Sequence, residues 1–212
     1  MGVVVKKMQE TNVTCEQIVS LMHESFKERE EQGLKYTCSY MDAETYQKKA
    51  KNGIVLVAID ENSGELYGTG MVHIYTNKWG AKYGYIENLA VSPEKKRLGI
   101  GSLLLRERIK FIEESGGEYV LSDTAIGAES AVKYHKKNGF KIVGLRSYKT
   151  TNYYSYLFRL QLRPSLVWNN NVLVKFIFSF SYIKTKIKFT RNGEKRILYN
   201  LFCKVRKSIC KR

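Results

Sequence analysis

Proline and histidine are scarce, with two prolines (Pro93 and Pro164) and three histidines (His23, His73 and His135) in 212 residues. Neither His23 nor His73 has metal-binding partners at a readable spacing, so both are expected to be structural and no metal is expected. The four cysteines, Cys15, Cys38, Cys203 and Cys210, are widely scattered and form no C-x-x-C pair. That pattern offers neither a zinc site nor a disulfide framework and sets a reducing, cytoplasmic location as the expectation. Long apolar runs are also missing, since none approaches the roughly 20 residues of a spanning helix. The opening "MGVVVKKMQE" is too short an apolar stretch for a signal peptide, and Lys6 stands where a myristoylation signal needs Ser or Thr. Internal repeats and low-complexity segments are absent from residues 1–163.

Acidic residues are missing from one region in particular. From Pro164 onward 12 Lys/Arg face the single Glu194, whereas the preceding residues carry 24 Lys/Arg and 19 Asp/Glu, so the net charge of +16 belongs mainly to the tail. The shift coincides with Pro164 and with the polar "NNN" that soon follows it. The expected organisation is one α/β domain over 1–163 and a basic, apolar-rich extension over 164–212; the chain is long enough for a single sizeable core. In the extension Ile197, Leu198, Leu201, Phe202 and Val205 recur at helical spacing among basic residues. That mixture suits an amphipathic helix on an anionic membrane surface, which would make the protein cytoplasmic with peripheral membrane contact. Packing of the extension on the domain is the equal alternative. Nucleic acid ranks third because no base-reading module is present, and a homodimer stays open.

What is present is an alternation of strand and helix patterns. "VVVKKM" reads as a strand, and "TCEQIVSLMHESFKEREEQG" carries Ile18, Leu21, Met22 and Phe26 at spacings of three and four, a helix ending near Gly33. A short helix spans Asp42 to Ala50. "GIVLVAID" and "ELYGTGMVHIYT" are strands joined by a turn at "ENSGE", and "YGYIENLAV" is a third. A helix from Ile100 to Glu114, the strand "EYVLSD", a helix near Ala128 to Asn138, and the strands "KIVGLRSY" and "YYSYLFRLQL" complete the order β-α-α-β-β-β-α-β-α-β-β. The expected sheet is mixed, mostly antiparallel early, with one parallel crossover after "ENLAV".

That crossover runs through "SPEKKRLGIGSLLL", where Gly99 and Gly101 stand at the start of a helix. A strand-to-helix turn presents free backbone N–H groups and the positive end of the helix dipole, and glycines let an anion approach. No Gly-Lys-Ser/Thr follows, and Leu104 occupies the third glycine position of a dinucleotide fingerprint, so neither nucleotide motif applies. Glycines used for turn conformation alone are the alternative.

The succession "YIENLAV", "SPEKKRLGIGSLLL" and "AVKYHKKNGFKIVG" resembles the GNAT superfamily of N-acetyltransferases, most specifically over residues 83–143. The resemblance implies an acyl-CoA N-acyltransferase fold with about seven strands flanked by helices, and transfer of acetyl from acetyl-CoA to a primary amine by direct attack in a ternary complex. It implies that Leu89, Ala90 and Val91 meet the pantetheine arm, and that Lys96, Arg97, Leu98, Gly99, Ile100, Gly101 and Ser102 surround the pyrophosphate. Lys96 stands where the family has Arg or Gln, which retains a donor, and the cluster of Lys95, Lys96 and Arg97 suits the phosphate charge of CoA.

Amine attack on a thioester needs a base for the ammonium proton, a donor for the oxyanion, and a proton or charge for the thiolate. Glu87, on the strand before the cofactor turn, is the leading base, with its pKa expected to rise on partial desolvation; Asp123 competes. In the place of the family's tyrosine, four residues before Gly139, stands His135, with Tyr134 beside it. Either is an acid candidate, although His, with an ordinary pKa of about 6.5, is mostly neutral at pH 7. A packed helix histidine is the alternative. The family's frequent Asn is Ala128 here. For the acceptor, "SYKTTNYYSY" offers Tyr148, Asn152, Tyr153, Tyr154 and Tyr156, and "YTNKWGAKYGYI" offers Trp79 and Tyr83.

Overall fold

A computed structural model describes residues 2–164 together with Phe178, Ser179 and Tyr182. The elements follow the expected order: β1 (Val3–Lys7), α1 (Cys15–Glu31), α2 (Ala43–Ala50), β2 (Ile54–Asp60), β3 (Leu66–Thr76), β4 (Lys82–Val91), α3 (Ile100–Glu114), β5 (Tyr119–Ala125), α4 (Glu129–Lys137), β6 (Lys141–Ser147) and β7 (Tyr154–Gln161). Helix starts are set by side chains. Thr14 and Gln17 form a reciprocal capping box before α1, and Asp42 accepts the Thr45 amide at 2.6 Å before α2.

The seven strands form one sheet in the order β1-β2-β3-β4-β5-β7-β6, with β4 and β5 parallel and the other described pairs antiparallel. Helices cover both faces, so Val55, Leu56, Val57 and Ala58 in β2 are all buried. On one face the apolar stripe of α1 (Ile18, Met22, Phe26) and Tyr46 of α2 pack with Val55, Val57 and Met71. On the other, Leu105 and Ile112 of α3 pack with Val72, Ile86, Val120 and Phe158, and Phe178 joins this cluster. The helix expected over 197–205 lies outside the described residues.

Two irregularities in β4 prepare the site. Between β3 and β4 the register runs Met71↔Glu87 and then Thr69↔Ala90, which leaves Asn88 and Leu89 in a bulge. Asn88 has φ +53, a left-handed conformation that Asn tolerates better than most residues. On its other side β4 pairs with β5 only through Tyr83↔Tyr119, Gly84↔Val120 and Tyr85↔Leu121. Past Tyr85 the two strands part, while β5 continues along β7 to Ala125↔Ser155. The sheet therefore has a wedge-shaped gap beside residues 86–91.

Candidate functional site

The gap opens toward the turn between β4 and α3. Arg97 (φ +67) and Gly99 (φ +79) both take left-handed conformations, and Gly99 begins α3 without any side-chain cap. The first helical bond is from the Leu103 amide to Gly99 O at 2.9 Å. Among the described residues the amides of 97–102 donate to no acceptor, so Arg97, Leu98, Gly99, Ile100, Gly101 and Ser102 present a row of free N–H groups at the positive end of the α3 dipole. A side chain at Gly99 would meet nothing within 4 Å but would be strained by the positive φ. The side chains of Lys96 and Lys95 are drawn to neighbours: Lys96 reaches Glu28 Oε2 at 3.3 Å, and the Lys95 ammonium sits 4.5 Å from the Tyr67 ring centre. Both leave their positive charge beside the turn. Leu89 faces the gap from the bulge, while Ala90 and Val91 pair with Thr69 and Gly68 of β3.

Below the turn a cavity of about 730 Å³ lies between the parted strands and the loops over them, lined among others by Tyr85, Glu87, Leu89, Asp123, Tyr134 and Tyr148. Glu87 is bound on both oxygens. Lys49 of α2 donates to Oε2 at 2.7 Å and His73 Nε2 of β3 meets Oε1 at 2.8 Å. Burial alone would raise the carboxyl pKa, but these two hydrogen bonds and their charge hold it below the ordinary carboxylate range. This corrects the expected direction: Glu87 is desolvated, yet its cationic partners outweigh that effect. The Glu87 hydrogen bond in turn raises the pKa of His73, whose Nδ1 is held by Asn52 O at 2.9 Å.

Asp123, across the gap on β5, has a different environment. Its Oδ1 accepts from the hydroxyls of Tyr85 and, at 3.2 Å, Tyr148, whereas Oδ2 accepts no hydrogen bond among the described residues. Burial and the neighbouring carboxylate push the Tyr85 pKa up, so Tyr85 stays a protonated donor. The Arg146 guanidinium lies 5.7 Å from the Tyr85 ring centre and closes the cluster.

His135 is a core residue. Its Nδ1 lies 2.8 Å from Ala131 O, which can only accept, so Nδ1 carries the proton and Nε2 accepts from Ser122 Oγ at 3.0 Å. The ring stacks on Phe158 at 4.5 Å and burial lowers its pKa. His135 also lines the cavity, and in this arrangement the nitrogen that faces Ser122 carries no proton. Tyr134 lines the cavity and donates to Gly101 O at 2.7 Å, which ties α4 to the first turn of α3.

Of the aromatic candidates, Tyr83, Tyr148 and Tyr153 line the cavity; Tyr156 belongs to the core, and Trp79 is 79% exposed outside the cavity wall. Asn152 braces two loops by accepting from the Lys35 amide and donating to Gly33 O, each at 2.8 Å. Lys49, His73, Tyr85 and Arg108 line or brace the site without having been singled out from the sequence. Period-two alternation was the available signal for Tyr85, which shares a face of β4 with Glu87. For Arg108 it was helical spacing, which sets a cation in the apolar stripe of Ile100, Leu104, Leu105 and Ile112.

Residues 15–140 match the Acetyltransferase (GNAT) family. An uncharacterized N-acetyltransferase of Schizosaccharomyces pombe is 36% identical over 90 residues, 42% of this chain and 53% of that protein, so the match spans about half the relative's length. Among solved structures, the NatC complex bound to Gag peptide and CoA is similar over 77% of this chain and 100% of that chain, with TM-score 0.59 and 18% identity. A GNAT family acetyltransferase from Elizabethkingia anophelis with acetyl-CoA bound is similar over 76% of this chain and 98% of that chain, with TM-score 0.54 and 15% identity. The sheet with its parted β4 and β5 and the match across more than half the sequence lead to one conclusion: the chain belongs to the GNAT acetyltransferase family.

Proposed function

We propose that this protein transfers the acetyl group of acetyl-CoA to a primary amine, and that the α-amino group of a peptide or small molecule is its preferred acceptor. The observation that carries this reading is the divergence of β4 from β5 beyond Tyr85, which opens a cavity lined by both carboxylates, with the turn of free amides tied to its wall through the Tyr134 hydroxyl on Gly101 O. Acetyl-CoA supplies an activated acyl group as a thioester. The amides of residues 97–102 suit its pyrophosphate, and the missing side chains at Gly99 and Gly101 leave room for close approach. The backbone of the Asn88–Leu89 bulge faces the arm that would enter the gap.

An ammonium group must lose a proton before it can attack. Asp123 suits this role because Oδ2 is open to a water or to the amine itself, while Tyr85 and Tyr148 fix the carboxylate from the other oxygen. Glu87, with both oxygens already taken by Lys49 and His73, has no free oxygen turned to the amine and instead braces α2 and β3 around the slot. An α-amino group with a pKa near 7.7–8.0 is about one-tenth neutral at pH 7, whereas a lysine amine near 10.4 is neutral in fewer than about one molecule in a thousand. A carboxylate base is matched to the former. The peptide bound in the NatC structure supports an acceptor of this kind.

Thiol release from acetyl-CoA across a panel of peptides, free amino acids, amino sugars and polyamines tests the reading. Turnover is expected with α-amines ahead of lysine-type amines. Tight CoA binding without turnover on any amine would overturn it in favour of a non-catalytic CoA-binding module. Gly99→Asp places a negative charge against the expected phosphates and is expected to weaken CoA binding about 10- to 30-fold by calorimetry; an unchanged affinity would remove the phosphate assignment.

A further inference from the structure

A fully buried cation stands at the back of the slot. Arg108 of α3 is 1% exposed, lines the cavity, and makes a single hydrogen bond among the described residues, from Nε to Leu104 O at 3.2 Å. Its terminal nitrogens have no acceptor and its charge has no carboxylate partner among those residues. An unpaired guanidinium in a protein interior costs several kcal/mol of desolvation. Such a group is expected to have a use that appears only when something else occupies the cavity.

Its position indicates what that occupant is. Arg108 lies nine residues along α3 from Gly99, about 13 Å at 1.5 Å per residue, so it sits deep in the slot relative to the anion turn. The guanidinium packs on Gly70 of β3, where an added Cβ would lie 3.1 Å from Cζ, Nε and Nη1. Gly70 falls between Thr69↔Ala90 and Met71↔Glu87, opposite the Asn88–Leu89 bulge where β4 leaves β5. A glycine has therefore made room for this side chain at the level of the bulge. The two titratable neighbours there are both engaged elsewhere, with the Tyr134 hydroxyl donating to Gly101 O and His135 Nε2 accepting from Ser122. Burial lowers the Arg108 pKa to about 10, which still leaves it charged at neutral pH.

Resting on the acetyl-transfer reading, we infer that Arg108 holds the departing thiolate of CoA, taking by electrostatics the role that a proton donor would otherwise fill. The amine nitrogen forms the new bond to the acyl carbon, and the C–S bond breaks with its electron pair passing to sulfur. The nitrogen loses two protons: one passes from the ammonium through Asp123 to bulk water before attack, and the second leaves as the amide forms, through water to the carboxylate thus freed. Arg108 neither gives nor receives a proton; its fixed charge lowers the energy of the sulfur anion, which takes up a proton from solvent after release. A buried, preorganised donor of this sort is worth more than the same charge in water.

The test titrates the thiol of CoA bound to the full chain, reading thiolate absorbance in the ultraviolet against the protein alone. In the wild type the bound thiol is expected to ionise at least one pH unit below free CoA. In Arg108→Met it should return toward the free value, with kcat reduced at least tenfold and the KM for the amine little changed. Methionine fills similar volume without charge, and replacing a buried ion by an apolar group is often neutral or stabilising, so a fold intact by thermal melting is expected. Arg108→Leu, apolar and of similar bulk near the backbone, should show the same loss of the thiol shift and serves if the methionine variant does not fold. Identical thiol titrations in wild type and Arg108→Met, or an unchanged kcat, would overturn the inference. Failure of the wild-type chain to bind CoA at all would fall on the acetyl-transfer reading instead.

Discussion

Glu87 and Asp123 are carboxylates on the same sheet face, one on each lip of the gap, and they line the same cavity. Their partners make them different reagents. Glu87 is hydrogen-bonded on both oxygens, by Lys49 of α2 and His73 of β3; Asp123 accepts from two phenols on one oxygen, has the Arg146 guanidinium nearby, and accepts no hydrogen bond on the other oxygen among the described residues. The contrast teaches that depth in a site does not set a carboxylate's role. The charge and number of its hydrogen-bond donors do.

The sharpest way to break the comparison is to remove one charge at a time. Asp123→Asn keeps the shape and loses the base, and kcat is expected to fall about 10²–10³-fold with CoA affinity unchanged by calorimetry. Glu87→Gln is expected to cost less than about tenfold in kcat; if the larger loss follows Glu87 instead, the two roles are reversed. A smaller effect is expected at the phenols. Tyr85→Phe removes one donor to Asp123, so kcat should drop about three- to tenfold with CoA affinity unchanged by calorimetry. An unchanged kcat would detach Tyr85 from the base.

The smallest effect concerns stability. His73 has a raised pKa, so its pairing adds stability that is fully present below about pH 6.5 and lost as pH rises through the raised value. Glu87 has a lowered pKa, so its contribution is present above about pH 4.3 and lost as pH falls through the lowered value. The pair is thus strongest between about pH 4.5 and 6.5. His73→Gln should lower Tm there by about 2–4 °C, the shift expected for roughly 1 kcal/mol in a chain of this size, and should flatten the decline above that window. A melting profile parallel to that of the wild type would show that the pairing contributes nothing.

Much of the frame was legible from periodicity alone. The order of eleven elements and the bounds of α3, Ile100–Glu114, follow from apolar spacing and from the glycines at each end. The same spacing put Glu87 on a strand before the turn. Its partners were not legible, since Lys49 comes from α2 and His73 meets it as a diagonal neighbour in a register set by the β3–β4 turn, and the bulge that follows was not legible either. A bulge depends on one residue's backbone conformation, and Asn88 in "IENLAV" carries no distinctive pattern. The tautomer of His135 was not legible for a related reason: a position in a helix identifies the residue but not the hydrogen bonds around its ring, and Ser122 lies 13 positions earlier on another element.

The parting of β4 and β5 has a mechanical consequence. Among the described residues three ladder pairs join β4 to β5, and past Tyr85 the two strands are no longer paired through their backbones. A molecule lying in the seam becomes a splice between two plates, and its binding energy adds to the cohesion of the whole sheet. Release of that molecule at the end of a cycle would loosen the same joint through which the next one must enter.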